Sequence, residues 1–324
     1  MRTDPMPATV TTSSPPDPAA PEVPVWRRIL PLVVGAALVA FVLVRLDFGA
    51  FITALSRTHY VAYLLFTAVF LGALLLADGW ATARVYRRLV APVRSAEIIQ
   101  IRGASYLLSL INHHVGQGWL TYFVSRAYRA PLWRVAGATL FIYVTTFGCL
   151  YVLVVLALPY NHGQIPWLLP TIGALSVAAA AYAAVIGVGA GALRRRQATA
   201  PLLEAGIGGH ARALVERMPH VLVQFLGVWL PLRFFGVNVP LTDALALVPV
   251  IMLVQVLPIT PQGLGTRDVV ALELLAKYAP GSAEQRAAAV AAATLSWACA
   301  LTLVQLLVSP LLMRRARRLL ASSV

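Results

Sequence analysis

Residues 257–268, LPITPQGLGTRD, have the residue types and spacing of an anion-binding turn. Pro258 and Pro261 end an incoming helix, and Gly263 and Gly265 allow a tight turn whose backbone comes close to a ligand. A helix that begins directly after such a turn presents free N–H groups and the positive end of its dipole, which attract anions.

The three residues that follow the turn complete this predicted site. Thr266 is expected to cap the new helix, Arg267 supplies a guanidinium suited to phosphate, and Asp268 orients Arg267 through an ion pair. We therefore predict an anion-binding site at Gly263, Gly265, Thr266, Arg267 and Asp268. The alternative is a plain helix–turn–helix at a membrane surface, with Arg267 in solvent or against lipid headgroups.

A second polar stretch, NHHVGQG, occupies residues 112–118 within an apolar segment. Asn112, His114 and Gln117 are expected to line a polar cavity and to face the anion from the other side. Arg126 follows at the mouth of that cavity, where it meets a lipid phosphate or anchors the chain at the membrane surface.

Metal and cofactor sites are not predicted. Adjacent histidines point in different directions on a helix, so His113 and His114 do not easily bind one metal ion, and no carboxylate or cysteine lies near them. Cys149 and Cys299 both lie inside apolar runs, which excludes a disulfide framework and a cysteine-rich metal site. The chain has no phosphate-binding loop, dinucleotide fingerprint, hydrolase elbow or zinc-protease helix.

A lone carboxylate, Asp78, lies near the end of another apolar run. An acid at such a position either has a functional role or is paired with Arg84 or water. Both interpretations stay open at the level of the sequence.

Composition indicates that these residues belong to a membrane protein. Hydrophobic residues make up 59% of the 324 positions and charged residues only 12%, whereas a soluble domain carries roughly 25% charged residues. The net charge of +14 comes from arginines clustered between apolar runs, as the positive-inside rule predicts. This distribution favours a membrane protein over a nucleic-acid-binding protein.

The apolar runs predict an all-α, polytopic transmembrane bundle. Residues 1–24 contain seven prolines, so residues 1–25 are predicted to form a disordered cytoplasmic tail before a single transmembrane domain at 26–320. Full spans of about 20 residues are predicted at residues 29–46, 60–83, 135–158, 167–193, 221–235 and 287–313.

Two further apolar segments, residues 103–125 and 244–278, are interrupted by polar residues, glycine or proline. The arginine clusters, which include Arg102 and Arg217, are predicted to lie in cytoplasmic loops. All clusters fall on one side only if both interrupted segments are re-entrant hairpins. The resulting order predicts an inverted repeat with halves at 26–160 and 161–320, and both termini in the cytoplasm of a bacterial plasma membrane.

The second hairpin resembles the transmembrane region of lysylphosphatidylglycerol synthases and related flippase-like membrane proteins. The resemblance rests on Leu257-Pro258, Gly263-Leu264-Gly265 and Arg267-Asp268. The chain departs from the family pattern at Gln262, where glycine is usual, and at Asp268, where glutamate is usual. Around Gly116-Gln117, the family's acidic residue is missing.

This resemblance implies that the membrane region moves lipid between leaflets, while a separate soluble domain performs aminoacyl transfer in relatives that have one. We therefore expect a flippase-like protein that binds an anionic or polyprenyl-phosphate lipid at its headgroup, without aminoacyl transfer. An enzymatic role is not favoured.

Two alternative functions remain open. A membrane-embedded transferase acting on a lipid-linked substrate needs a general base, for which His113, His114 and Asp268 are the candidates. The other alternative is a non-catalytic partner in a lipid or cell-envelope pathway, in which Arg267 is dispensable.

Overall fold

The computed structural model describes residues 47–110, 112–161, 165–188, 191–256 and 265–321, with the isolated residues 33, 37 and 40. These residues form helices and no strand. The helices are α1 (Phe48–Ser56), α2 (Tyr60–Leu89), α3 (Ser95–Ser109), α4 (His113–Ala127), α5 (Leu132–Asn161), α6 (Leu168–Val188), α7 (Ala200–Trp229), α8 (Leu241–Val256), α9 (Thr266–Leu275) and α10 (Ala283–Ala321). Short 3₁₀ segments follow α7 at Leu230–Phe235 and α9 at Ala276–Tyr278, and one helical turn lies at Gly191–Arg194.

Five helical segments in the described part of the chain are long and apolar enough to cross a bilayer. They are Tyr60–Leu89, Leu132–Asn161, Leu168–Val188, Ala200–Phe235 and Ala283–Leu320. Even the shortest of these has 21 residues, which span about 30 Å at about 1.5 Å per residue. The predicted all-α membrane bundle is therefore confirmed. The first predicted span, residues 29–46, falls outside the described residues except for three isolated positions.

The outward face of α2 is apolar, as lipid contact requires. On α2, Val61, Leu65 and Val69 are 77%, 63% and 73% exposed. Their four-residue spacing places them on one face of the helix. Such a stripe is costly in water, because burial of apolar area drives folding there, but it is stable against lipid tails.

Helix α7 extends further than its sequence predicts. The stretch between the predicted spans 167–193 and 221–235, which includes Arg217, is predicted to be a cytoplasmic loop, but α7 already begins at Ala200 and has a kink at Gly206, where φ is 61°. Leu202 and Ala213 are buried against the bundle, whereas Arg212 and Glu216 form an exposed i,i+4 ion pair. This amphipathic pattern sustains a helix where charge density alone suggests a loop.

The first predicted hairpin consists of α3 and α4, with the break at the predicted polar stretch. The side chain of Asn112 accepts a hydrogen bond of 2.7 Å from the N–H of His114 and so caps α4. A Cβ at Gly116 would lie 2.9 Å from the carbonyl oxygen of Ser105, so this glycine lets the two arms pack closely. At the other end, the hydroxyl of Tyr128 donates to Glu97, which joins the end of α4 to the first turn of α3.

The second predicted hairpin consists of α8 and α9, and its central turn falls outside the described residues. Its two ends are joined by a backbone hydrogen bond of 3.1 Å from the N–H of Asn238 to the carbonyl of Tyr278. Each hairpin therefore starts and finishes at one level of the bundle. This geometry supports the predicted re-entrant path, whose relation to the bilayer remains a prediction.

The two hairpins pack against the long helices in corresponding ways. The first arm of each hairpin packs on the last long helix of the other predicted half: α3 on α10, and α8 on α5. The second arm packs on the last long helix of its own half: α4 on α5, and α9 on α10. An inverted repeat would produce such an arrangement; the division into halves at residues 26–160 and 161–320 stays a prediction.

Candidate functional site

Arg267 and Asp268 form the predicted ion pair at the start of α9. Arg267 Nη2 lies 3.0 Å from Asp268 Oδ1, and Arg267 Nε lies 3.3 Å from the same oxygen. The other carboxylate oxygen of Asp268 accepts a hydrogen bond of 3.0 Å from the N–H of Gly265. Asp268 therefore holds the guanidinium and the turn in one arrangement.

Gly265, not Thr266, is the N-cap of α9. Gly265 has a φ of 85°, a conformation that costs glycine little, and Asp268 satisfies its N–H three residues later, as the acid of a capping box does. The prediction that Thr266 caps the helix is wrong because the turn ends one residue earlier. Gly263 lies outside the described residues.

Arg267 forms part of the wall of a small cavity between α7, α8, α9 and α10. The residue is 8% exposed, and its Nη2 donates to the carbonyl of Thr294 at 3.4 Å. The cavity, about 30 Å³, has room for one or two water molecules. Its lining is mostly apolar and comprises Val228, Pro231, Leu232, Ile251, Arg267, Ala271, Leu275, Ala293, Thr294 and Trp297.

The predicted residues of the first hairpin lie elsewhere. Among the described residues, those that line the Arg267 cavity do not include Asn112, His114, Gln117 or Arg126. Asn112 and His114 are exposed beside the break. Arg126 is also exposed, with its guanidinium 5.5 Å from the centre of the Tyr122 ring.

Gln117 instead belongs to a second charged cluster inside the bundle, formed by Asp78 of α2, Arg102 of α3 and Arg217 of α7. Arg217 Nη1 lies 2.7 Å from Asp78 Oδ1, and Arg102 Nε lies 2.5 Å from Asp78 Oδ2. When the amide oxygen of Gln117 is turned towards Arg102, it accepts from Nη1 and Nη2 at 2.5 and 2.9 Å. We call Asp78, Arg102 and Arg217 the charged triad.

Hydroxyl groups complete the surroundings of the charged triad. Arg217 donates through Nε to Thr146 at 3.0 Å and through Nη1 to Thr82 at 3.2 Å. One turn further along α7, His220 is 5% exposed, and its Nδ1 has no hydrogen-bond partner among the described residues. Buried polar groups of this density in an apolar bundle mark functional sites more often than structural ones.

A close contact between α2 and α3 makes the charged triad possible. A Cβ at Gly79 would lie 2.5 Å from Ile99 Cγ1 and 2.9 Å from Ile99 Cα. Glycine next to Asp78 therefore lets α3 approach closely enough for Arg102, one turn after Ile99, to reach the carboxylate.

A protein-family model described as the lysylphosphatidylglycerol synthase TM region matches residues 28–309. The chain belongs to this family. No curated protein and no solved structure matches it. The match to the lysylphosphatidylglycerol synthase TM region covers both Arg267 and the charged triad, so both lie within the domain that defines the family.

Within this family domain, two arginines lie elsewhere than the sequence predicts, and the partners of Asp78 are settled. Arg102 and Arg217 are 8% and 6% exposed inside helices, rather than in cytoplasmic loops as predicted. Asp78 pairs with these two residues and not with Arg84, whose guanidinium lies 4.9 Å from the centre of the Trp80 ring. A carboxylate in an apolar run was the available signal, because such a group needs a buried cation.

Proposed function

We propose that this membrane protein is a lipid translocator that binds the phosphate-bearing headgroup of an anionic or polyprenyl-phosphate lipid. The observation that carries the proposal is the position of Arg267. Its guanidinium is buried in an apolar bundle, fixed at the start of α9, and forms part of the wall of a cavity between four helices. Family membership supports a role in lipid handling.

Arg267 is chemically suited to exchange one anion for another. A guanidinium binds carboxylate and phosphate with the same forked geometry, so a headgroup phosphate can replace Asp268 as its partner. The N-terminus of α9 adds N–H groups and a favourable dipole. Because the cavity holds only one or two water molecules, headgroup entry requires α8 and α9 to move away from α10.

The other predicted residues take supporting roles in this proposal. Gly265, with its positive φ, begins α9, Gly263 stays a predicted contact, and Thr266 supplies an N–H at the start of α9. Asn112, His114 and Arg126 are exposed on the first hairpin, where a headgroup meets them before or after it contacts Arg267. Arginine-rich helix ends support a plasma-membrane orientation with both termini in the cytoplasm.

The proposal is tested with purified protein in liposomes that contain fluorescent lipids in both leaflets. A membrane-impermeant reductant bleaches only the outer leaflet, so translocation appears as bleaching beyond one half. Wild-type protein is expected to translocate anionic lipid, and Arg267→Ala is expected to abolish this. Arg286→Ala is the matched control, because Arg286 is exposed and donates to the carbonyl of Gly281.

Three results would distinguish the alternatives. Translocation by Arg267→Ala at the wild-type rate removes Arg267 from the mechanism. Absence of translocation by folded wild-type protein for every headgroup favours a non-catalytic partner. A chemically altered lipid recovered from the liposomes, lost in His114→Gln, indicates a transferase.

A further inference from the structure

The charged triad is a separate feature from the Arg267 cavity. Arg217 precedes Val228, which lines that cavity, by 11 positions on α7, or about 16 Å along a helix axis at about 1.5 Å per residue. It lies towards the end of the bundle where Arg88 pairs with Glu216. The function proposed for Arg267 does not involve the charged triad, so the role of the charged triad needs its own explanation.

The charged triad carries one more positive than negative charge. Asp78 is the one carboxylate in the described ion pairs of Arg102 and Arg217, and its own side chain is 1% exposed. Burying charge costs several kcal/mol per ion unless it is compensated. An uncompensated guanidinium in an apolar bundle therefore favours binding of a monovalent anion.

The donor groups of the charged triad converge as they do around a bound oxyanion. Two guanidinium groups approach the carboxylate of Asp78 from α3 and α7, and the hydroxyl of Thr82 donates to it at 3.3 Å. The Nη1 and Nη2 groups of Arg102 face the neutral amide of Gln117. A neutral amide is a weaker partner for a guanidinium than an anionic oxygen, so an anion can displace it.

A polar stripe on α4 leads from the hairpin break to this site. His114, Gln117 and Thr121 follow one another at intervals of three and four residues, which places them on one face. Thr121 continues the stripe by bonding to the hydroxyl of Thr139 at 3.0 Å. A polar face on a membrane helix needs polar surroundings, and here it connects the exposed residues at the break with Arg102.

We propose that the charged triad is a binding site for a phosphodiester monoanion, entered by displacement of Gln117 from Arg102. A phosphodiester brings one negative charge, which neutralises the single excess positive charge. Arg102 and Arg217 contact its oxygens, and the hydroxyls of Thr82 and Thr146 hold Arg217 in place by accepting from its Nη1 and Nε. The inference takes its ligand class from the proposed lipid function but does not require Arg267 to bind a headgroup.

The sharpest test is Gln117→Glu. This near-isosteric change places a carboxylate against Arg102 and makes the cluster neutral. We expect Gln117→Glu to weaken binding of short-chain phosphatidylglycerol to detergent-solubilised protein by about ten-fold or more, because it removes a charge-assisted contact. The melting temperature should stay equal or rise, because the excess charge is compensated. Gln100→Glu, on α3, is the matched control for an added negative charge.

Titrating three ligands shows whether the site binds a lipid headgroup or free phosphate. Short-chain phosphatidylglycerol, glycerophosphoglycerol and inorganic phosphate are titrated in parallel by calorimetry. Binding of the first two supports a phosphodiester site, and binding of the lipid alone shows that acyl chains are also needed. Inorganic phosphate binding as tightly as the phosphodiesters, in a manner sensitive to Gln117→Glu, overturns the monoanion assignment.

A purely structural role for the charged triad makes a different prediction. In that case Gln117→Glu changes the melting temperature and leaves lipid affinity at the wild-type value, which overturns the proposal. Arg217→Gln serves as the second variant: it is expected to weaken phosphatidylglycerol binding by about ten-fold or more, normalised to the folded fraction. Arg286→Ala, which is exposed and outside both sites, should leave this affinity unchanged. Because translocation tests Arg267 and the effect of Gln117→Glu on binding tests the charged triad, the failure of one site is distinguishable from failure of the other.

Discussion

Asp78 and Arg217, 139 residues apart in the sequence, meet at 2.7 Å between Oδ1 and Nη1 inside the bundle. Arg102 contacts the other oxygen of the same carboxylate. This one carboxylate therefore ties α2 to α3, the first arm of the first hairpin, and to α7 of the second predicted half. Loss of the carboxylate would leave two buried arginines without a counter-ion.

Asp78→Ala should therefore destabilise the protein strongly. Removing one partner of a buried ion pair costs about 3–5 kcal/mol. Thermal unfolding in detergent, followed by tryptophan fluorescence, measures the change. Arg94→Ala is the contrasting variant, because the Arg94 side chain is 84% exposed and lies 3.9 Å from Glu97; an exposed pair contributes about 0–1 kcal/mol. Equal losses in the two variants would contradict the stabilisation of two buried arginines by Asp78.

Gly79→Ala should weaken the packing of α2 on α3. The added Cβ meets Ile99 at 2.5 Å from Cγ1 and 2.9 Å from Cα. Because Ile99 Cα is backbone, it cannot rotate away, and overpacking of this kind costs about 1–3 kcal/mol. Gly72→Ala on the same helix is the control, since a Cβ added at Gly72 meets no described atom within 4 Å. A neutral Gly79→Ala variant would show that α3 adjusts freely.

Asp268→Glu should retain the transport expected of the wild type, whereas Asp268→Ala should not. Glutamate three residues after an N-cap is the usual acid of a capping box, so it can still bond Gly265 and face Arg267. Alanine loses the hydrogen bond from Gly265 to a charged acceptor, worth about 1.5–3 kcal/mol, and leaves Arg267 without its carboxylate. The liposome assay and thermal unfolding measure the two effects. Equal transport by both variants would exclude Asp268 from positioning Arg267.

Cysteine labelling tests the path of the first hairpin. In a Cys149→Ser, Cys299→Ser background, which removes the two free cysteines, single cysteines replace Arg94 before α3 and Arg129 after α4. A membrane-impermeant maleimide should label both from the cytoplasmic face, because a re-entrant hairpin starts and ends on one side.

A cysteine at Lys277, after α9, is the internal reference for the opposite side. It should be labelled only from outside if the second hairpin enters from that face. Labelling of Arg94→Cys and Arg129→Cys from opposite faces would show that α3 and α4 together cross the bilayer. That result would contradict the predicted inverted repeat.

The sequence by itself determined that the chain is a helical membrane bundle, and it located the breaks in two helices. Those features are local: runs of apolar residues set the spans, and Asn112 and Gly265 cap the helices that begin after the breaks. The Arg267–Asp268 pair is also local, because its two members are neighbours and share the first turn of one helix.

Only the tertiary structure decided that Asp78, Arg102 and Arg217 meet. They lie on three helices, and their contact depends on the close approach that Gly79 allows between α2 and α3. The positive-inside rule predicts that Arg102 and Arg217 lie in cytoplasmic loops. Burying an arginine is costly unless a carboxylate compensates its charge, and here that carboxylate comes from a distant part of the chain. A counter-ion 139 positions away leaves no periodic signal, since only the fold makes the two residues neighbours.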